Sequence, residues 1–226
     1  MQLTYLQAWQ MKEKTKERIY GHPKYYYKLL PWMCEKMIAT NLGTITELSH
    51  SSDGHFEQLF VACAISIQGF VMGCWPIIAI DSAYMSGPYG GALFPATAYD
   101  VNDSMFPLTF EVMSSENYEE WFWLLQNLKK VVRDKEVLII SNRHPVFICS
   151  ILEVFGLENH VYCYHHLKAN FSSFFSKHNT KRNKGKENAL QFLDSISYAK
   201  LDHDYNDCLR VLLTKRSQHN NIMLVS

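Results

Sequence analysis

The chain has 226 residues, of which 47% are apolar and 14% are aromatic. This apolar content is enough for the core of one full-sized domain, and it excludes an intrinsically disordered protein. The 22 basic and 22 acidic residues give a formal charge of zero. A protein held on nucleic acid by bulk electrostatics is normally more basic, so any contact with DNA has to come from a local patch.

The cysteine pattern and the N-terminal sequence indicate the cellular compartment. The six cysteines include no C-x-x-C pair, which is typical of reduced thiols in the cytosol or nucleus. Met1–Tyr20 alternates Lys and Glu in its second half and does not resemble a signal peptide.

Phe60–Ile80 is uncharged and has the length of a membrane span, but polar residues, glycines and a proline interrupt it. We therefore expect no membrane span.

The first 75 residues predict a helical segment followed by a hairpin. Apolar residues between Leu3 and Ile19 recur at helical spacing and predict a first helix with one apolar face, which ends at Gly21. A second helix is expected from Pro31 to Thr40. Two strands at 44–48 and 55–60 and a short apolar helix at 62–70 follow.

From Pro76 onward the pattern of strands and helices is clearer. Strands are predicted at 77–81, 92–99 and 106–113, and they form an antiparallel meander. The next helix is expected to have Ser114 or Ser115 as its N-cap and an apolar face made of Trp121, Leu124, Leu125, Leu128 and Val132. The remaining elements are a strand at 137–141, a helix at 145–155, a strand at 161–164, and helices at 166–175 and 187–198.

The order of these elements indicates the fold class. Three antiparallel strands followed by alternating helices and strands are typical of an α/β domain of the RNase H-like kind, a mixed sheet flanked by helices. A fold of this class hosts many activities, so the function has to be argued from particular residues.

Asp81 is the first candidate functional residue, because it stands where a buried apolar strand ends. A carboxylate at that place costs desolvation unless it pairs, binds a metal or reaches solvent. The pattern by itself favours a solvated strand end over a metal ligand.

Two further groups of residues have weaker signals. Cys163 and His166 have the C-x-x-H spacing of half a zinc site, with His144, His203 and Cys208 as the other imaginable ligands. A buried cysteine beside a surface histidine explains the same spacing. The basic residues between Lys177 and Lys186 fit either a solvated loop or a patch that tracks phosphates; they are Lys177, Lys181, Arg182, Lys184 and Lys186.

A series of short motifs follows the same order as the predicted elements. They are Pro76–Asp81, Gly87–Gly91, Ala98–Asp100, Phe106–Leu108, Ser115–Tyr118, Trp121–Trp123, Ile139–Ser141 and Tyr162–Leu167. In this order they closely resemble the core of plant Mutator-like (MULE) transposases. The segment Tyr5–Leu48 resembles the part that precedes this core, and the likeness extends over most of residues 3–205.

The resemblance implies an RNase H-like domain that cuts and joins DNA with a D-D-E triad and two Mg²⁺ or Mn²⁺ ions. Two metals held by carboxylates activate the attacking oxygen and stabilise the leaving one. Asp81 matches the first acid of the triad, which makes a metal-ligand role in the ancestor the favoured interpretation. Cys163 and His166 match the C-x-x-H of the family, so the resemblance implies Zn²⁺ as a further candidate metal ion.

The departures from the family pattern are as informative as the matches. The second acid follows the fourth core strand in a Ser-Asp-Arg context, but here the sequence is Ser141-Asn142-Arg143. The third acid, a Glu in a Glu-Ser-x-Asn context, has no counterpart before Ser226, and the likeness fades from about Asp207. With one triad position intact, we expect a truncated and degenerate transposase that cannot transpose DNA and retains neither metal.

The resemblance also implies the organisation of the chain. We expect an N-terminal helical segment at 1–42, an incomplete RNase H-like core at 43–168, and a partial helical insertion with a divergent tail at 169–226. Transposon-end DNA is the ancestral partner, no small-molecule substrate is expected, and the family implies a nuclear location, otherwise the cytoplasm.

Three functional hypotheses remain open at this point. The favoured one is a catalytically inactive, transposase-derived remnant without a selected function. The second is a repurposed module that binds DNA or protein without cutting. The third is an active transposase or nuclease, in which Asp103, Glu111 or Glu116 replaces a lost ligand.

Overall fold

The structure is a computed structural model that describes residues 4–22, 24–85, 90–142, 144–178, 190–195 and 197. The contacts divide the chain into two units, Met1–Val161 and Tyr162–Ser226. The predicted boundaries at 42 and 168 stay predictions. Among the described residues no helix is long and apolar enough to cross a membrane.

The first unit opens with three helices. They are α1 (Tyr5–Tyr20), α2 (Lys24–Tyr27) and α3 (Leu30–Thr40). Helix α1 starts in a capping box, in which the Thr4 hydroxyl accepts from the Gln7 N–H and the Gln7 side chain accepts from the Thr4 N–H. No residue of α1 is buried, so its predicted apolar face forms but is not covered.

A mixed sheet follows, flanked by helices, as the sequence predicted. The elements are β1 (Ile45–His50), β2 (Phe56–Ala62), α4 (Ala64–Gly73), β3 (Cys74–Ile80), β4 (Ala83–Tyr84), β5 (Ala92–Asp100), β6 (Met105–Met113), α5 (Tyr118–Val132), β7 (Leu138–Ser141), α6 (Pro145–Val154), a 3-10 helix (Leu157–Asn159) and β8 (His160–Tyr162). The uncharged stretch that had the length of a membrane span is thus divided among β2, α4 and β3.

The strand order across the sheet is β1-β2-β6-β5-β3-β7-β8, and β4 pairs with β5. Strands β3, β5 and β6 pair antiparallel, which confirms the predicted meander. Strand β7 pairs with β3 in parallel. The β1–β2 hairpin, joined to β6 by antiparallel pairing, extends the same sheet, an association that the sequence did not predict.

Helix α5 covers the centre of the sheet with the apolar face that its spacing predicted. Trp121 packs edge-on between Phe94 of β5 and Phe147 of α6, with ring centroids 4.6 and 4.5 Å away. Leu125 and Leu128 are fully buried in the same core. The predicted N-cap at Ser114 or Ser115 is wrong, because the Asn117 side chain accepts the hydrogen bond from the Glu120 N–H at 2.8 Å.

The two serines have a different role at the start of α5. The Ser114 hydroxyl and the Ser115 N–H donate to the two carboxylate oxygens of Glu120, at 2.5 and 2.8 Å. Glu120 is 7% exposed, and these bonds satisfy it beside the positive end of the helix dipole. The serines therefore hold the Glu120 carboxylate in place, while Asn117 caps the helix.

The second unit contains α7 (Tyr164–His178), and residues 190–195 are also helical. The Asp194 carboxylate accepts from the Tyr164 hydroxyl and from the Lys168 ammonium, the latter at 2.7 Å. The helical residues 190–195 overlap part of the helix predicted at 187–198. The tail from 202 to 226 lies outside the described residues.

Candidate active site

Asp81 and Asn142 lie at the same edge of the sheet. Strands β3 and β7 are parallel neighbours in the register Ile77–Leu138, Ile78–Ile139 and Ala79–Ile140. Continued by two residues, that register places Asp81 opposite Asn142. The carboxyl ends of parallel strands meet at one sheet edge, so the fold brings together the two positions that the resemblance paired.

The Asp81 side chain is exposed just beyond the end of β3. Its Oδ1 atom accepts a hydrogen bond of 2.8 Å from the Ser82 N–H. This local bond and the access to water stabilise the carboxylate without a metal. The geometry is therefore compatible with the solvated strand end that the pattern alone favoured.

The Asn142 side chain is engaged in starting helix α6. Its Oδ1 atom accepts a hydrogen bond of 3.0 Å from the N–H of His144, the residue before the helix. The amide keeps a neutral oxygen, one of the groups that Mg²⁺ accepts as a ligand, but that oxygen already holds a backbone donor. A carboxylate in this place would offer a second oxygen and a negative charge.

These residues do not fit the two-metal site of the resemblance. Two divalent ions need several carboxylate oxygens, and the two described positions that match the triad offer one carboxylate and one engaged amide. Among the described residues, no three His, Cys, Asp or Glu side chains come together as a metal-ligand set.

A buried hydrogen bond supports Asn142 from the neighbouring strand. The Ser141 hydroxyl lies 3.0 Å from His160 Nε2 and donates to the Asn142 carbonyl at 3.0 Å. Ser141 is 3% exposed, and burial lowers the pKa of His160. Sequence reasoning missed His160, because an imidazole opening a short strand gives no local signal of its partner.

Glu111, which the third hypothesis named as a replacement for a lost ligand, is a buried residue of β6. It stands on β6 opposite Phe60 and Phe94, fully buried, and neither carboxylate oxygen has a hydrogen-bond partner among the described residues. Burial raises the pKa of Glu111 well above its usual range, and the nearby Glu120 carboxylate raises it further. Its place on the inward side of an apolar strand is the sequence signal of this burial.

The predicted zinc pair lies at the start of α7, in the second unit. Cys163 is half-buried, and its carbonyl accepts from the Leu167 N–H at 3.1 Å. His166 is half-buried in the first turn of the helix. A zinc role for these two residues stays a prediction.

The predicted basic patch falls mostly outside the described residues. Lys177 is exposed near the end of α7. The other four members, Lys181, Arg182, Lys184 and Lys186, are not among the described positions. Binding of DNA by this patch stays a prediction.

A comparison with protein families gives a match to the segment that contains Asp81 and Asn142. Residues 77–170 match the MULE transposase domain. The matched segment begins in β3 and ends in α7, so it contains Asp81, Asn142, Cys163 and His166. This match supports a transposase-derived protein.

Two solved structures have a low similarity to the chain. The first is the catalytic domain of Mos1 mariner transposase, with 14% identity, 68% of this chain and 85% of that chain covered, and a TM-score of 0.30. The second is the Mos1 transposase catalytic domain with Raltegravir and Mn, with 14% identity, 70% and 92% covered, and a TM-score of 0.28. No curated protein matches this chain significantly.

Proposed function

We propose that the chain is a transposase-derived domain that has lost metal-dependent DNA cleavage. The observation that carries this proposal is the position of Asp81 and Asn142 just beyond the ends of the parallel strands β3 and β7, with the Asn142 amide oxygen engaged by the His144 N–H. DNA is the partner that goes with this origin, and a nuclear location goes with that partner.

The loss of the second carboxylate has a direct electrostatic consequence. Two divalent cations in one site repel each other, and bridging carboxylates offset that repulsion. An amide supplies a dipole instead of a charge, so metal affinity falls at the place where the reaction needs both ions. The second hypothesis, a module that binds DNA without cutting it, is compatible with this loss.

Metal binding by the 226-residue chain is the first test. A divalent ion at about 100 times its dissociation constant adds about 2.7 kcal/mol to the free energy of unfolding, which is roughly 5–10 °C in Tm for a domain of this size. We expect no Mn²⁺-dependent shift for the wild type and a measurable shift for Asn142→Asp. Asn170→Asp, on the exposed side of α7, is the matched control and is expected to behave as the wild type does.

DNA cleavage is the second readout of the same variants. Nicking of supercoiled plasmid with millimolar Mn²⁺ is expected to stay at background for the wild type. Cleavage that requires Mn²⁺ and disappears in Asp81→Asn would overturn the proposal and establish an active nuclease.

A further inference from the structure

A cavity of about 650 Å³ opens beside the Asp81 edge, at the tip of the β1–β2 hairpin. Residues from the end of β1, the start of β2, the end of β6 and the start of α3 line it. Because β5 and β6 run antiparallel to each other beside β3, the start of β5 and the end of β6 lie at the edge where β3 ends. The volume lies within the range of small-molecule sites.

The cavity has an aromatic and apolar lining with polar groups at hand. Tyr27 and Phe56 form one side, with ring centroids 5.1 Å apart and planes inclined by 46°. Met85 and Met113 contribute apolar surface. Planar rings and thioethers of this kind suit a flat aromatic group, which stacks on either.

Gly91 allows the lining to approach closely. A Cβ atom at this position would lie 2.8 Å from the Met113 carbonyl oxygen, and the backbone has φ +86°. The Gly91 carbonyl accepts from the Met85 N–H at 3.0 Å and so holds this side of the cavity together. A residue with a side chain would push β5 away from β6 and deform the cavity.

The charges around the cavity are mixed, and Lys28 is a lining cation that a phosphate can meet. The Asp53 carboxylate at the hairpin tip pairs with His55 at 2.8 Å and accepts from Ser51. The Glu57 carboxylate accepts from the Ser49 hydroxyl at 2.9 Å. Lys28 and the exposed His50 line the cavity as well and offer donors to a phosphate.

The cavity lies close enough to Asp81 for one DNA strand to reach both. Met85 follows Asp81 by four residues, so their Cα atoms are at most about 14 Å apart. That span corresponds to about four base steps at 3.4 Å per nucleotide.

We infer that this cavity binds an unpaired nucleobase of a DNA strand that runs along the Asp81 edge, with the neighbouring phosphate near Lys28. The inference rests on the proposed function, because it takes DNA as the partner of this edge. Stacking on Tyr27 and Phe56 supplies affinity without sequence preference. The inference thus specifies which form of DNA the transposase-derived domain binds, namely single-stranded or frayed DNA.

The test measures fluorescence anisotropy of labelled oligonucleotides with the full 226-residue chain in EDTA. The probes are a 20-nucleotide single strand, the blunt duplex of the same sequence and that duplex with a four-nucleotide overhang. We expect the single strand and the overhang to bind more tightly than the blunt duplex. Phe56→Ala is expected to weaken single-strand binding about 5- to 100-fold. Lys28→Gln is expected to reduce the salt slope by about 0.7.

Matched variants separate the cavity from general effects. Trp9→Ala and Lys14→Gln remove an exposed aromatic residue and a cation from α1, and both are expected to leave single-strand binding unchanged. His50→Ala changes an exposed cavity residue and is also expected to weaken single-strand binding. It tests the cavity if Phe56→Ala does not fold, and a thermal melt of Phe56→Ala shows whether it folds.

Three results would overturn the inference. The first is equal affinity for all three probes with no effect of Phe56→Ala or His50→Ala, and the second is no binding of any probe at low salt. The third is displacement of the DNA probe by an apolar peptide only, since that assigns the cavity to a protein partner. Because the assay contains no metal, it fails or succeeds independently of the cleavage test.

Discussion

Helices α1 and α5 are nearly equal in length, 16 and 15 residues, but they differ in what they bury. Helix α5 has eight buried residues, and α1 has none. Both begin with a side-chain cap, and both carry tryptophan and leucine. Apolar spacing therefore predicts a helix, but it does not predict whether another surface covers the apolar face.

The largest expected contrast comes from truncating one leucine in each helix. Leu128→Ala in α5 removes a fully buried side chain and is expected to lower the free energy of unfolding by about 2–5 kcal/mol. Leu6→Ala in α1, where the side chain is 62% exposed, is expected to change it by less than about 0.5 kcal/mol. Urea denaturation measures both. Equal losses would show that the α1 face is covered in solution.

A second prediction concerns Glu111, the buried carboxyl group of β6. The raised pKa of Glu111 means that the folded state keeps a proton that the unfolded state loses above the usual value of 4.5. The stability of the wild type therefore falls as pH rises from that value towards the folded pKa.

Glu111→Gln removes this proton uptake. We expect its stability relative to the wild type to rise by about 1.4 kcal/mol for each pH unit within that window. Denaturant melts between pH 5 and pH 8 test it, with the exposed Glu119→Gln as the control. A constant difference across that range would show that Glu111 is ionised or paired in the folded state.

The smallest expected effects come from the helix caps. Asn117→Ala leaves the Glu120 N–H without its acceptor and is expected to destabilise the first unit by about 1 kcal/mol. Thr4→Ala removes the cap of α1 and is expected to leave global unfolding unchanged, because α1 buries nothing. Hydrogen exchange at the first turn of each helix distinguishes local fraying from global loss. A cooperative destabilisation by Thr4→Ala would show that α1 is part of the folding unit.

Sequence reasoning reached the elements whose signals are local. The spacing of Trp121, Leu124 and Leu128 predicted α5 and its buried face, and turn residues separated β5 from β6. The end of an apolar run also located Asp81 at a strand end. Each of these signals is contained within a few neighbouring residues.

The rest depended on contacts that are distant in sequence. Nothing in the hairpin sequence states that β2 pairs with β6, because strand pairing depends on which edges meet in space. The hydrogen bond between Ser141 and His160, the engagement of Asn142 by the His144 N–H and the cavity beside Gly91 have the same origin. The replaced acid at Asn142, by contrast, came from the resemblance to a family.

The central place of β3 in the sheet also has a consequence for synthesis on the ribosome. Strand β3 has β5 on one side and β7 on the other, and β7 begins only at Leu138. At about 5–20 residues per second, the roughly 60 intervening residues take about 3–12 s to emerge. During that interval the nascent chain presents one open edge of an uncharged strand, a ready template for pairing with another chain.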